Sequence, residues 1–163
     1  MAFTVEDGTG VEDANSWVPV DYANSYFTER GITTWTGADG VKEKALVRAT
    51  DYVHVRFGRH WIPVGSDEVD PEVLYTFNET IPVNLKKAVS EYALRALTAT
   101  LAPDPTVDDN GLVTVVTKKQ LGPLQKQYAV IGNQEARPSL LRAYPAADML
   151  LAGLIAGGSR TMR

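Results

Sequence analysis

"PVNLKKAVSEYALRALTATL", residues 82–101, is the stretch whose reading decides the fold. Its apolar positions Val83, Leu85, Ala88, Val89, Tyr92, Ala93, Ala96, Leu97 and Leu101 recur at intervals of three and four. That is the period of a helix with one wide buried face. Pro82 suits a first turn, where its missing N–H costs nothing, and Pro103 closes the segment. Ala and Leu, the strongest helix formers, dominate between them. A central helix over about 82–101 is therefore predicted, and its apolar face needs other elements to cover it.

Upstream, Val41, Ala45, Leu46, Ala49, Tyr52, Val53 and Phe57 repeat the same spacing up to Gly58, which predicts a helix over about 40–57. Val20, Ala23, Tyr26 and Phe27 do so again before Gly31, a natural C′ residue. The helix expected there spans 19–30, with Asn15 or Ser16 as candidate cap and Trp35 as anchor of the loop that follows. Phe3–Val5 alternates briefly and runs into the turn-rich "EDGTGVEDANS". Residues 58–81 read as an irregular connection. Downstream, "LVTVVTKK" and "LQKQYAVIG" are β-prone runs around Gly122-Pro123, a hairpin or pair of extended arms over 111–132 with imperfect alternation. Pro145 opens a last helix, so 133–156 reads as loop plus helix, and 157–163 as a loose tail. The predicted class is mainly α: a small helical bundle, single domain overall, with body 1–110, the β-hairpin or arm excursion and a flexible C-terminal tail.

At 163 residues the chain suits one domain, able to bury roughly 70% of its unfolded surface without a staple. Cys is absent, which removes disulfides, thiolate nucleophiles and Cys-ligated metals. The N-terminus has neither the basic nor the apolar region of a secretory signal, and no apolar run reaches the ~18 residues a bilayer span needs. A soluble chain made in the cytoplasm, with no membrane partner, is expected. Net charge is −4, unevenly spread: residues 1–110 hold nine Lys/Arg against eighteen Asp/Glu, and 111–163 hold seven against two. Such polarity argues for contact with something acidic, either nucleic acid or the acidic part of another copy.

Catalytic patterns are missing. His54 and His60, six apart, share no helical face and belong to no metal motif, and they read as a surface and a loop histidine. Asp67, Glu68, Asp70 and Glu72 lack the alternate-residue pattern of a calcium loop. "DGTG" follows no buried strand and precedes no GK[ST], while Ser16, Ser25, Ser90 and Ser139 have no nucleophile context. No enzyme activity, cofactor or metal is expected. Lys118, Lys119 and Lys126 beside Tyr128 leave three readings open: a solvated hairpin, an assembly arm or a nucleic-acid surface. The tail "GGSRTMR" reads as a free end or a docking peptide.

In order along the chain, "FTVEDGTGVEDANSWVPVDYANSYFTERG", "KALVRATDYVHVRFGRHW", "IPVNLKKAVSEYALRAL", "KKQLGPLQKQY" and "PAADMLLAGLIAGGSRTMR" resemble a group of tailed-phage proteins. These are head–tail connector adaptors, or head-completion proteins, often labelled DnaT-like single-stranded-DNA-binding proteins. The group carries a tryptophan-proline-arginine element between Trp61 and Ile81, where this chain reads "LYTFNET". The resemblance implies a virion neck protein forming a homo-oligomeric ring of twelve copies beneath the portal protein. Such a ring offers a surface to the next neck or tail protein and lets duplex DNA pass without sequence-specific binding. A ring closes through a heterologous contact, and the acidic and basic parts of the chain suit one. On that reading Val113, Val115, Lys118, Lys119, Leu121, Leu124, Lys126 and Tyr128 form an inter-subunit arm. Gly157, Gly158, Ser159, Arg160, Thr161, Met162 and Arg163 form a portal-docking tail. The alternative implied is a single-stranded-DNA-binding or replication-accessory protein.

Overall fold

The computed structural model describes residues 2–58, 61, 74, 77, 80–103, 114–120, 125–130 and 144–155. Among them the chain runs α1 (Val20–Glu29), α2 (Asp39–Phe57), α3 (Val83–Ala96), β1 (Thr114–Gln120), β2 (Gln125–Val130) and α4 (Pro145–Leu151). The fold is mainly helical. Residues 1–101 with 143–163 make one compact unit, and residues 102–142 make a second.

In the helical unit α3 is the centre. It buries Leu85, Ala88, Val89, Ser90, Tyr92, Ala93 and Ala96, a stripe at the helical period. α2 packs along it with Ala45, Leu46, Ala49, Thr50 and Val53, while α4 adds Ala147 and Leu151 and α1 adds Ala23, Tyr26 and Phe27. The Ala residues on facing stripes let the helices come close, and Trp17, Phe27, Leu46, Leu85 and Tyr92 fill the space between. Truncating one of the large ones, Leu46 or Leu85, to Ala should cost roughly 2–5 kcal/mol, transfer and cavity together.

Each helix ends for a local reason. At the end of α1, Gly31 (φ 64°) donates to the Thr28 carbonyl at 3.0 Å and Ile32 N–H to the Phe27 carbonyl at 3.0 Å. That pair of bonds closes the helix through a left-handed glycine. α3 stops at Ala96, short of 101. Thr98 and Ala99 N–H both turn to the Arg95 carbonyl, at 3.2 and 3.0 Å, and β-branched Thr98 and Thr100 weaken continuation. α4 stops at Leu151 rather than near 156, and Ile155 makes a single antiparallel bridge to Trp61.

The expected cap of α1 is corrected. Pro19 holds the cap position with no side-chain bond. Ser16 Oγ instead accepts from Val18 N–H (3.1 Å) and donates to the Val18 carbonyl (2.9 Å). Asn15 Oδ1 accepts from Thr4 N–H (3.1 Å) and its Nδ2 donates to the Ala2 carbonyl (2.6 Å). Asn15 is thus committed to the N-terminal segment, where Val5 also bridges Ser16, and the Ser16 hydroxyl to the turn before Pro19. Their partners lie eleven or more residues away or on a turn, so helix spacing alone did not reveal them.

The second unit contains a two-stranded antiparallel ribbon of β1 and β2. Thr114 pairs with Val130, Val115 with Ala129 and Val116 with Tyr128. Beyond a bulge at Thr117 the register continues with Lys118 opposite Gln127, Lys119 opposite Lys126 and Gln120 opposite Gln125. The bulge explains the imperfect alternation of the sequence, since one extra residue shifts the period by one.

Candidate functional site

Basic side chains are the currency of either function the sequence leaves open, so their placement decides what the molecule can touch. Among the described residues of the helical unit most of them are occupied by the protein's own groups. The Arg30 guanidinium lies 3.6 Å over the Tyr26 ring and its Nη1 donates to the Tyr26 carbonyl at 2.9 Å. Arg95 Nη1 meets Glu91 Oε2 at 2.8 Å one turn away, and Glu91 Oε1 accepts from the Tyr26 hydroxyl at 3.0 Å. That chain of contacts joins α1 to α3. Burial, with the Glu91 carboxylate adding to it, pushes the Tyr26 hydroxyl up to about 12. Lys42 Nζ and the Trp35 indole both donate to Asn24 Oδ1, each at 2.9 Å, which anchors the Trp35 loop as its sequence position suggested. Lys86 sits 5.9 Å from the Tyr22 ring centre.

A second polar cluster fastens α4. Tyr92, fully buried, donates its hydroxyl to Asp148 Oδ1, and Asp148 Oδ2 accepts from Tyr144 N–H at 3.2 Å. Arg56 reaches Asp148 at 3.5 Å and donates to the Tyr52 hydroxyl at 2.7 Å. The rings of Tyr52, Tyr92 and Tyr144 pack against one another at 5.2–6.2 Å. Burial first, and the Asp148 bond next, push the Tyr92 hydroxyl well above its ordinary range. Sequence reading missed this cluster. Tyr92 and Asp148 lie 56 positions apart, and Asp148 alone looks like a solvated acid on an amphipathic helix.

The N-terminal loop is built around Glu6, also missed. Its side chain is buried and accepts N–H bonds from Gly8 (2.7 Å), Gly10 (3.0 Å) and Val11 (2.9 Å). Three donors on one carboxylate turn "DGTGV" into a rigid collar. The pattern of an acid followed by a Gly-x-Gly was the available signal.

His54 differs from expectation too. It is half-buried, its ring 6.0 Å from Trp17, and its Nδ1 is shut from solvent without a hydrogen-bond partner. Trp61 Nε1 and Thr50 Oγ1 are orphaned in the same way. Trp17, Trp61 and Phe77 form an aromatic nest, centres 5.2–6.4 Å apart, and this apolar setting explains why the nearby polar atoms find no partners. Among the described residues no group of three or more His, Asp and Glu is placed to hold a metal ion, and no helix is long and apolar enough to cross a membrane. His60 and the acids 67, 68, 70 and 72 lie outside the described residues.

The ribbon brings the expected arm residues together selectively. Val115, Lys118 and Lys119 fall on β1, and Lys126 and Tyr128 on β2. Val113, Leu121, Leu124 and the tail residues 157–163 lie outside the described residues. By register Lys119 stands directly opposite Lys126, and one step along the same face Val116 stands opposite Tyr128. Lys118 is placed on the other face, opposite Gln127. Like charges paired directly across strands are destabilising. The register puts two lysines at directly paired positions.

A family model described as "Putative DnaT-like ssDNA binding protein" matches residues 1–163. No curated protein and no solved structure matches the chain.

Proposed function

We propose, on the premise that the chain belongs to the DnaT-like family whose model covers it end to end, that it is a non-enzymatic assembly protein of the phage neck. In this reading copies join head to tail into a ring beneath the portal protein. The ring provides the surface for the next neck or tail protein and lets duplex DNA through. One observation carries the proposal: Arg30, Lys42, Arg56, Lys86 and Arg95 of the helical unit are engaged by the protein's own rings, amides and carboxylates, whereas the ribbon's register sets Lys119 and Lys126 at directly paired positions. A body most of whose described cations are engaged internally has less to offer a sugar–phosphate chain, and low phosphate affinity is what a DNA conduit needs. In this reading the two lysines meet the acidic part of a neighbouring copy. The tail 157–163 is assigned to the portal on the strength of the sequence resemblance alone.

The second reading is single-stranded DNA binding. Specific observations favour it: the family's description, which speaks for this reading more than for the first, and the sharing of one ribbon face by Lys119, Lys126 and Tyr128. Two cations and one ring suit phosphates and a stacked base. What speaks against it is scale. Sequence-tolerant binders line a groove with several aromatics and a basic field, and this chain has a pI near 5.2.

Particle imaging of the purified protein, alone and mixed with portal rings, separates the two. The neck reading expects rings, lost in the Lys119→Glu/Lys126→Glu variant, and a protein that is part of purified virions. Truncation after Gly157 should leave the rings and abolish portal docking. Protein absent from virions, together with a salt-sensitive shift of single-stranded oligonucleotide that the same double variant abolishes, would replace the first reading with the second.

A further inference from the structure

Besides the ribbon, a head-to-tail ring can use a further pair of unlike patches on neighbouring copies. A groove of about 630 Å³ lies in the helical unit between the N-terminal segment and the outward side of α2. Its volume is in the ~300–1,000 Å³ range of ligand clefts. On α2 it is lined by Gly40, Glu43, Lys44, Val47 and Arg48, a stripe at the three- and four-residue helical spacing. Ala2, Phe3 and Asn15 line the other wall. That wall is braced, because Asn15 holds Thr4 N–H and the Ala2 carbonyl through its side-chain amide. Gly40 leaves the upper end open, with no atom within 4 Å of where a Cβ would stand. Most of the lining is apolar, from half-buried Phe3 and Val47, while Lys44 and Arg48 are exposed one turn apart at the rim. Arg48 Nε donates to the Lys44 carbonyl at 3.2 Å, which lays its guanidinium along the helix toward Lys44. These two cations are not among those bound by the protein's own aromatics.

We infer that this groove receives an acidic segment with an apolar anchor from a second copy of the chain, residues 66–72. The inference deepens the ring reading and rests on it. The chemistry of the groove selects the occupant. An apolar floor calls for a buried hydrocarbon side chain, and paired cations at the rim call for carboxylates flanking it. "SDEVDPE" sets Asp67, Glu68, Asp70 and Glu72 around Val69, which is that pattern in seven residues. A nucleic-acid strand offers no aliphatic side chain for the apolar floor, while Glu43 among the lining residues opposes anions of either kind. Ring closure needs groove and segment to be different patches of the subunit, and they are different stretches of the sequence. The basic ribbon is excluded as occupant by its charge.

The test uses the full-length protein and a fluorescein-labelled peptide of residues 66–74. Anisotropy should show saturable binding that weakens as salt rises. Lys44→Glu/Arg48→Glu should weaken it roughly tenfold or more, and Val47→Asp should abolish it. Both changes sit on the solvent side of α2, so unchanged thermal melting checks that the fold is intact. A peptide with the four acids replaced by Lys should not bind. Peptide binding that is absent, or unaffected by these variants, overturns the groove assignment, as does a single-stranded oligonucleotide that displaces the peptide. Rings that still form in the Lys44→Glu/Arg48→Glu variant overturn it while leaving the ring reading standing. Peptide binding retained by the ribbon variant Lys119→Glu/Lys126→Glu supports the groove as an independent contact.

Discussion

At the scale of single residues, the side chains that matter most are those whose partners are backbone amides or nothing at all. Glu6 is an exposed-looking acid in a polar loop, yet it is buried under three N–H donors. Glu6→Ala strands those donors and should cost about 3 kcal/mol, read as a shift of the urea midpoint with unchanged slope. Glu6→Gln keeps one good acceptor and should cost roughly half as much. If both are silent, the collar is not what holds the N-terminal segment. Thr50 makes the opposite case. Its hydroxyl is fully buried and has no partner, so Thr50→Val removes an unmet polar atom at nearly constant volume. The variant should melt later, with a gain of about 1 kcal/mol; a loss of that size would mean the hydroxyl is satisfied in solution. Trp35 was legible as an anchor because a lone Trp in a short loop has few alternatives to burial. Glu6 and Thr50 were not, because neither burial nor pairing of a polar atom is encoded by its own spacing.

At the scale of elements, α4 is a helix of seven residues, too short to persist without help. Its hold on the bundle comes from Ala147 and Leu151 and from Asp148, which gathers Tyr92, Arg56 and the Tyr144 amide. Asp148→Ala leaves the buried Tyr92 hydroxyl unpaired and should cost about 2 kcal/mol. The loss should be local: amide exchange in 145–155 rises well before exchange in α3 does. Equal rises in both would show that the cluster supports the whole core rather than this helix. The ribbon teaches a related lesson. Its existence was readable from two β-prone runs around Gly122-Pro123, but its register was not. The bulge at Thr117 is what sets Lys119, and not Lys118, across from Lys126. A one-residue change in pairing exchanges the two faces, so the chemistry of the arm depends on a feature invisible in the alternation.

At the scale of the whole molecule, the uneven charge along the chain acquires a physical meaning. Most of the described cations of the acidic N-terminal part are engaged internally, and the basic part contains the ribbon. Association of copies through such surfaces should weaken steeply between about 50 mM and 500 mM salt, measured as a shift of the mass distribution toward monomer, since exposed charges are screened over roughly 10 Å or less in that range. Assembly that is indifferent to salt would point to a contact dominated by apolar burial and would remove the charge argument. The double reversal of Lys119 and Lys126 tests the same point at one site.

The sequence by itself determined the class of the protein, the three long helices to within a few residues, the presence of a β-prone excursion, and the family. Those properties are periodic or compositional, and a period of 3.6 or 2 residues is written along the chain before it folds. Only the tertiary structure decided where α3 and α4 stop, that Asn15 serves the N-terminal segment and Ser16 the turn at Val18 rather than a helix cap, and that Glu6, Tyr92 and Asp148 are polar fastenings. It also decided which lysines take paired positions on the ribbon. Each of these is a pairing between positions distant in the chain or across a bulge, and such a pairing exists only once packing has brought the two groups to within a bond's length of each other.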